Sequence, residues 1–303
     1  MSNFYQKLCD AIGAASVREQ EPMSAHTTFR AGGPARYFVT PEGEKELAAV
    51  LAACREAEKA YYILGNGSNL LVGDKGYRGV VIQICKRMNE IRTEENKIYA
   101  QAGALLSKIA AQALSNSLTG FEFASGIPGT LGGAVMMNAG AYGGEMKDVL
   151  TSVRVMTEEG EIMELPAEEL GLGYRTSIIP EKRYIVLGAV ISLTEGKKEE
   201  IKAQMDDLRQ KRVSKQPLEY PSAGSTFKRP EGYFAAKLIE GAGLKGFSVG
   251  GAMVSEKHSG FVINYNDATA SDVMELCRQV REKVKALSGV ELEMEVKRLG
   301  EFK

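Results

Sequence analysis

Apolar positions recur every three or four residues in several parts of the chain, which is the spacing of one buried helical face. The clearest case begins near Glu44, where Leu47, Val50, Leu51 and Cys54 share a face and charged residues lie on the other. This pattern predicts helices at residues 43–59, 104–116, in the charged segment after Gly196, near 233–240, and in a long segment capped by Thr269 or Ser271.

Short apolar runs that end at glycine or turn residues predict strands at 61–65, 80–84, 97–103, 184–193 and 260–265. Residues 152–165 have the pattern of a β-hairpin around Glu159-Gly160. The terminal segment VELEMEVKRLG alternates strictly and predicts one continuous strand. Strands and helices therefore alternate without a regular βαβ series, which predicts a mixed α+β fold with a domain boundary near Gly196.

Composition narrows the function classes. The chain has 303 residues, 44% of them hydrophobic and 25% charged, with a net charge of −1, so nothing in its charge favours nucleic acid or a membrane surface as a partner. Four widely spaced cysteines and two histidines predict no metal site. The N-terminal segment does not resemble a signal peptide, and no apolar run approaches the roughly 20 residues of a membrane helix. We expect a cytoplasmic monomer with reduced thiols.

Two glycine-rich segments are candidates for ligand binding. GNGSN (65–69) follows a predicted strand, and its backbone N–H groups can converge into an anion-binding nest, although a simple Asn/Gly turn fits the spacing equally well. ASGIPGTLGGAVMMNAGAYGG (124–144) is too apolar for a flexible surface loop, because it contains Ile127, Leu131, Val135, Met136 and Met137, and this favours ligand binding. GAGLKG (241–246) matches the dinucleotide fingerprint, but it follows a predicted helix, so Gly241 or Gly243 is interpreted as the end of that helix.

Several motifs, spread over nearly the whole chain, occur in the order that is typical of a known protein family. These motifs are TTFRAGGPA (27–35), the two glycine-rich segments, GYRTS (173–177), GSTFKRP (224–230) and EVKRLG (295–300). Together they resemble the UDP-N-acetylenolpyruvoylglucosamine reductase family of flavoenzymes, which serve peptidoglycan synthesis. The resemblance implies a vanillyl-alcohol-oxidase/PCMH-type FAD-binding fold of two α+β subdomains, residues 1–60 and 61–195. It also implies a C-terminal α+β substrate-binding domain, residues 196–303, whose terminal strand can return toward the FAD site.

The resemblance also implies cofactors and site residues. It implies non-covalent FAD and NADPH, and the nucleotide sugar as a small-molecule substrate. The residues expected to bind FAD are Gly65, Asn66, Gly67, Ser68, Asn69, Ser125, Gly126, Ile127, Pro128, Gly129, Thr130, Gly132, Gly133 and Ala134. Those expected to be catalytic are Arg175, Ser225 and Glu295, and those expected to contact substrate are Tyr174, Lys215 and Arg229.

The implied reaction gives each catalytic residue a task. NADPH reduces the flavin, which passes hydride to the terminal carbon of an enolpyruvyl group, and the adjacent carbon must then be protonated. Arg175 suits a carboxylate on which negative charge develops. A carboxyl such as Glu295 in a closed site can hold a proton and donate a hydrogen bond. Ser225 lacks the G-x-S-x-G context and a neighbouring base that a nucleophile needs, so it is interpreted as the proton donor.

The chain differs from long-form members of the family, and two alternative functions also fit its sequence. Long-form members carry asparagine at the position of Arg229 and an extra loop over the substrate. The short connection from Arg229 to Phe261 has no room for that loop, so the chain resembles the short form. One alternative is another FAD-dependent oxidase of the same fold that acts on an alcohol or sugar, and a second is a nucleotide-sugar binder without chemistry. His258, in SEKHSGF, is interpreted as structural or as a residue behind the site.

Overall fold

The computed structural model describes residues 3–302. In this part of the chain the helices are α1 Asn3–Ile12, α2 Glu44–Glu56, α3 Leu106–Ser115, α4 Leu131–Met136, α5 Lys198–Lys215, α6 Ala235–Gly241 and α7 Ala270–Ser288. The strands are β1 Val17–Pro22, β2 Pro34–Val39, β3 Tyr61–Leu64, β4 Leu70–Val72, β5 Tyr77–Gln83, β6 Ile91–Glu94, β7 Lys97–Gln101, β8 Leu118–Thr119, β9 Gly140–Ala141, β10 Gly144–Glu145, β11 Leu150–Met156, β12 Ile162–Pro166, β13 Ile185–Ser192, β14 Thr194–Glu195, β15 Ser248–Val249, β16 Ala252–Val254, β17 Val262–Asn264 and β18 Lys297–Leu299.

The chain divides into two compact units, and it passes between them several times. Unit 1 comprises the residues up to Arg18 together with Tyr37–Asn66 and Gly79–Lys211. Unit 2 comprises Glu19–Arg36, Gly67–Arg78 and the residues from Arg212 onward. Each unit has its own hydrophobic core. The division into three domains at residues 60 and 195 stays a prediction.

Unit 1 is built on a five-stranded antiparallel sheet of order β12-β11-β13-β7-β6. The predicted hairpin is confirmed, because β11 and β12 pair with Val153 opposite Leu165. Helices α3 and α4 pack on this sheet, and both contact β7. Leu187, Ala189 and Ile191 of β13 are buried in the core of this unit.

A smaller sheet of order β1-β2-β5-β3 completes this part of the fold. Within unit 1 its strands β3 and β5 run parallel, with Tyr61 opposite Val80 and Leu64 opposite Gln83. Helix α2 supplies its predicted apolar face to the same core, because Leu47, Val50 and Cys54 are fully buried. The first glycine-rich segment begins where β3 ends.

Unit 2 contains a three-stranded antiparallel sheet of order β15-β16-β17, against which α7 packs. The predicted cap of α7 is confirmed, since the Thr269 side chain accepts the N–H of Asp272 and the Asp272 side chain accepts that of Thr269. Helix α6 ends at Gly241, and Gly243 follows with a left-handed φ of 69°, as the predicted helix end requires. Among residues 3–302, no helix has the length and apolar character that a membrane crossing requires.

The prediction of one continuous terminal strand is wrong. Only β18, Lys297–Leu299, is regular, and it pairs in parallel with β4, so that Lys297 lies opposite Leu70. Before it the chain makes only a single antiparallel bridge between Met294 and Phe227. The alternation of exposed and buried positions fails at Glu295, which is 8% exposed, whereas Glu291 and Glu293 are exposed. The segment therefore turns a carboxyl group inward.

Candidate active site

The two glycine-rich segments contact each other within unit 1. Gly65 lies directly against the Thr130 hydroxyl, and the Asn66 side-chain amide donates to the Pro128 carbonyl over 2.7 Å. Burial raises the pKa of the Cys85 thiol, which donates to Asn66 Oδ1 over 3.8 Å. Two segments predicted separately from sequence thus form one structure, which we call the loop cluster: Gly65, Asn66 and residues 125–134.

The second glycine-rich segment is firmly held on one side and open on the other. Its fixed side depends on backbone hydrogen bonds from Leu131 to Ala104 and from Gly132 to Ala102, both 2.8 Å. Thr130, Leu131 and Ala134 are buried, whereas Ser125, Ile127, Gly129 and Gly132 are half-buried and Gly126, Pro128 and Gly133 are exposed. The exposed side therefore presents backbone and small residues to a ligand.

Arg175 occupies a tight turn in the same unit. Gly173 and Thr176 exchange two backbone hydrogen bonds of 3.2 and 3.3 Å across the turn. Arg175 has a left-handed φ of 56°, which is uncommon outside glycine and is concentrated at functional sites. Its guanidinium carbon lies 5.4 Å from the ring centre of Tyr174, which is exposed.

Asn138, which was not among the predicted site residues, joins the Arg175 turn to the second glycine-rich segment. It is 1% exposed, and its amide donates to the Gly173 carbonyl over 3.1 Å and to Glu145 over 2.8 Å. Its Oδ1 atom accepts the N–H of Lys147. The only sequence signal is a polar residue within an apolar, glycine-rich run.

Ser225 and Glu295 lie on neighbouring antiparallel segments of unit 2. The N–H of Glu295 donates to the Thr226 carbonyl, and the N–H of Lys228 donates to the Glu293 carbonyl, both over 2.8 Å. Ser225, next to Thr226, is exposed, whereas Glu295 is buried. We call Ser225, Thr226 and Glu295 the serine–glutamate cluster.

The second half of the first glycine-rich segment belongs to unit 2 and contacts this cluster. The Asn69 side chain donates to the Glu295 carbonyl over 3.3 Å, and the Asn69 carbonyl accepts the N–H of Lys297 over 3.0 Å. Gly67 has a φ of 63° and lies against the His26 carbonyl, while Ser68 is half-buried. Asn69 therefore connects the glycine-rich segment to Glu295 and to Lys297, the first residue of β18.

The expected substrate-binding residues of unit 2 lie on its surface. Lys215 is the last residue of α5, and Arg229 is exposed with its guanidinium carbon 4.0 Å from the ring centre of Phe234. Phe234 and its neighbour Tyr233 are each 49% exposed, which is unusual for large aromatic side chains. From the sequence this stretch was predicted only as part of a helix, and the exposed aromatic pair was not predicted.

Comparisons with known proteins agree with the motifs. A model of the C-terminal domain of UDP-N-acetylenolpyruvoylglucosamine reductase matches residues 216–299, and an FAD binding domain model matches residues 35–166. The reductase of Alkaliphilus metalliredigens is 52% identical over 299 residues, which are 99% of this chain and 98% of that protein. That of Clostridium perfringens is 55% identical over 297 residues, or 98% and 97% of the two chains. The chain belongs to the UDP-N-acetylenolpyruvoylglucosamine reductase family.

Solved structures confirm the predicted fold class. The reductase from Thermus caldophilus superimposes with a TM-score of 0.81 at 39% identity, covering 93% of this chain and 99% of that one. The grass pollen allergen Phl p 4, which has glucose dehydrogenase activity, shares the fold alone, with a TM-score of 0.52 at 12% identity over 65% of this chain and 45% of that one. This chain therefore has the α+β FAD-binding fold of the vanillyl-alcohol-oxidase/PCMH type.

The loop cluster fits FAD in this reductase-family chain. A flat ring and a pyrophosphate need backbone that can be approached closely, and the exposed Gly126 and Gly133 supply it. The buried Thr130 and Leu131 fix that backbone before any ligand binds, so less ordering free energy is lost on binding.

We expect Gly67→Ala to weaken FAD binding. A Cβ at Gly67 would overlap the His26 carbonyl oxygen and would also force alanine into a left-handed conformation. Strain and overpacking together should lower the free energy of unfolding by about 2–4 kcal/mol. FAD titration and thermal unfolding measure the two effects.

Gly13→Ala is the matched control, because Gly13 has a φ of 80° but nothing within 4 Å of a Cβ. This variant should lose only the free energy of unfolding that the left-handed conformation costs an alanine, and it should bind FAD normally. Equal FAD affinity in Gly67→Ala and the control would contradict the claim that FAD binding depends on the close packing of Gly67 against the His26 carbonyl.

Proposed function

We propose that the protein is an NADPH-dependent flavoenzyme that reduces UDP-N-acetylglucosamine enolpyruvate to UDP-N-acetylmuramate for peptidoglycan synthesis. Family membership over nearly the whole chain supports the activity. The observation that carries the residue assignment is the pairing of the Ser225 segment with the Glu295 segment through Thr226. We also propose that the enzyme works in the cytoplasm as a monomer.

FAD is assigned to the loop cluster and to Gly67, Ser68 and Asn69. When bound, FAD would supply the hydride chemistry between NADPH and the terminal carbon of the enolpyruvyl group. The protein's part is to hold the ring against that carbon. The bond between Asn66 and the Pro128 carbonyl supports this role, because it fixes the two glycine-rich segments relative to each other.

Arg175 is assigned to the carboxylate of the enolpyruvyl group. A guanidinium forks onto a carboxylate with two parallel hydrogen bonds, and its positive charge stabilises the negative charge that spreads into that group during reduction. Two features support a fixed orientation of the turn: the backbone bonds between Gly173 and Thr176, and the bond from Asn138 to Gly173. Little reorganisation is then needed as the charge develops.

Ser225 is assigned as the proton donor, and Glu295, on the neighbouring segment, is assigned as a hydrogen-bond donor. The proton leaves Ser225 Oγ for the carbon next to the carboxylate, and the hydroxyl is restored from water, which the exposure of Ser225 permits. A serine hydroxyl is a weak acid, but the carbanion-like centre is a strong base, and proximity supplies part of the rate. Glu295 is assigned to donate a hydrogen bond to the oxygen on which the enolate charge collects.

The nucleotide end of the substrate is assigned to the exposed surface of unit 2. Lys215 and Arg229 supply positive charge for the diphosphate, and Tyr174 is assigned a contact with the substrate. The aromatic pair Tyr233 and Phe234 offers exposed ring surface for the uracil or sugar, with Lys237 5.4 Å from the Phe234 ring centre.

Product analysis tests the proposed function. The protein incubated with NADPH and UDP-N-acetylglucosamine enolpyruvate should form a product heavier by one hydride and one proton, as measured by mass spectrometry. Absence of this product from FAD-loaded protein would contradict the proposal. Consumption of oxygen with an alcohol or sugar would favour an oxidase of the same fold.

A further inference from the structure

The loop between β16 and β17 contains a turn that a histidine side chain closes. His258 Nδ1 accepts the N–H of Gly260 over 3.1 Å, which is the bond that an asparagine makes in an Asx turn. A Cβ at Gly260 would lie 3.0 Å from His258 Cε1, so the ring packs directly on the backbone of that residue. The orientation of the Gly260 peptide therefore depends on the ring.

Hydrogen bonds connect Gly260 to the serine–glutamate cluster, so the orientation of the Gly260 peptide affects that cluster. Its carbonyl accepts the N–H of Thr226 over 2.9 Å, and the Thr226 hydroxyl accepts the N–H of Val262 over 2.9 Å. The Thr226 carbonyl accepts the N–H of Glu295 over 2.8 Å. Thr226 is fully buried, and these bonds engage its backbone N–H, its carbonyl and its hydroxyl. A shift of Gly260 therefore moves the residue next to Ser225.

We propose that His258 is a positioning residue that holds Ser225 and Glu295 through Gly260 and Thr226. The proposal rests on the proposed function, because it assigns His258 to the half of the reaction in which the substrate is protonated. His258 has no part in flavin reduction by NADPH. Its effect comes from accurate placement of the serine hydroxyl, since a misplacement of about 1 Å can cost about 10²-fold in rate.

The ring is suited to this task in its neutral form. Burial lowers the pKa of His258, so at neutral pH Nδ1 carries a lone pair and the ring hydrogen is on Nε2. Lys245 lowers and Glu240 raises this pKa, and these two charged groups pair with each other over 2.6 Å. Glu256 and Lys257 directly precede His258 on its own loop. A protonated ring cannot accept the Gly260 N–H, so the turn loosens only in acid.

Two substitutions separate the hydrogen bond from ring packing. His258→Asn keeps an acceptor at the δ position, whereas His258→Phe keeps an aromatic ring against Phe261, whose centre lies 4.9 Å from that of His258. We expect reoxidation of the reduced enzyme by the enolpyruvyl substrate to slow about 10- to 100-fold in His258→Phe. The Asn variant should stay within about threefold of wild type. Flavin reduction by NADPH and the substrate concentration for half-maximal rate should be unchanged in both.

The controls keep the inference testable if the Phe variant does not fold. FAD content and circular dichroism report folding, and Glu256→Gln on the same loop should behave as wild type. In that case the comparison rests on His258→Asn: the decline of the reoxidation rate in acid that wild type shows should be reduced in this variant. Equal rates for His258→Phe and wild type, or identical acid declines for wild type and His258→Asn, would overturn the proposal.

Ser225→Ala, measured beside these variants, distinguishes the two proposals. Slow reoxidation in Ser225→Ala with normal reoxidation in His258→Phe would overturn only the role of His258. Normal reoxidation in Ser225→Ala would overturn the assignment of the proton donor itself.

Discussion

Ser225→Ala should bind FAD and be reduced by NADPH at the normal rate, yet its turnover should fall about 10²–10⁴-fold, the range that general acid catalysis supplies. The substitution removes the hydroxyl that delivers the proton and leaves Thr226 and its hydrogen bonds in place. Because Ser225 is exposed, alanine leaves no buried polar group without a partner. The defect should therefore be confined to one half-reaction.

Stopped-flow absorbance under anaerobic conditions separates the two half-reactions. Ser222→Ala is the matched control, since Ser222 lies on the same segment and forms an isolated bridge with Ile263. The control should reoxidise normally with the enolpyruvyl substrate. If Ser225→Ala reoxidises as fast as the control, another group delivers the proton.

Arg175→Lys should reduce kcat about 10²–10³-fold, comparable to the loss of an oxyanion donor in other enzymes. Lysine keeps the positive charge but loses the fork that matches a carboxylate, so the defect measures geometry rather than charge alone. The left-handed backbone at φ 56° costs the same for either side chain, and folding should be unchanged.

Arg183→Lys is the control for this position. Arg183 also has a left-handed φ, 53°, but it is exposed and pairs with Glu158 over 3.4 Å. Its substitution should leave kcat within about twofold of wild type, because exposed ion pairs contribute little. A loss in Arg175→Lys no larger than in Arg183→Lys would contradict the assigned role of Arg175.

Regular elements of this fold were predictable because local patterns determine them. Helix α7 has its cap at Thr269 and a buried stripe that includes Val273, Leu276, Val280 and Val284, all visible in the sequence. The terminal segment shows where this reasoning stops. Its alternation predicted a continuous strand, but a strand also needs a partner, and Glu291 instead bonds to Arg281 and Lys285 of α7. Pairing between distant segments is not encoded in periodicity.

The same limit applies to the candidate site. Motif order indicated Arg175, Ser225 and Glu295, because these residue types recur in a recognisable sequence context. Asn138 and His258 act through hydrogen bonds to Gly173 and Gly260, and nothing in their immediate sequence indicates which backbone group they bind. The resemblance therefore predicted the groups that we propose to contact substrate, whereas the residues that hold them in place became visible only in the structure.

An anaerobic two-step experiment tests the central claim most directly. The FAD-loaded protein is first reduced with one equivalent of NADPH, and UDP-N-acetylglucosamine enolpyruvate is then added without oxygen. The account predicts that the yellow flavin colour is lost in the first step and returns in the second, with one molecule of substrate consumed for each flavin. Flavin that stays bleached until oxygen is admitted would contradict it.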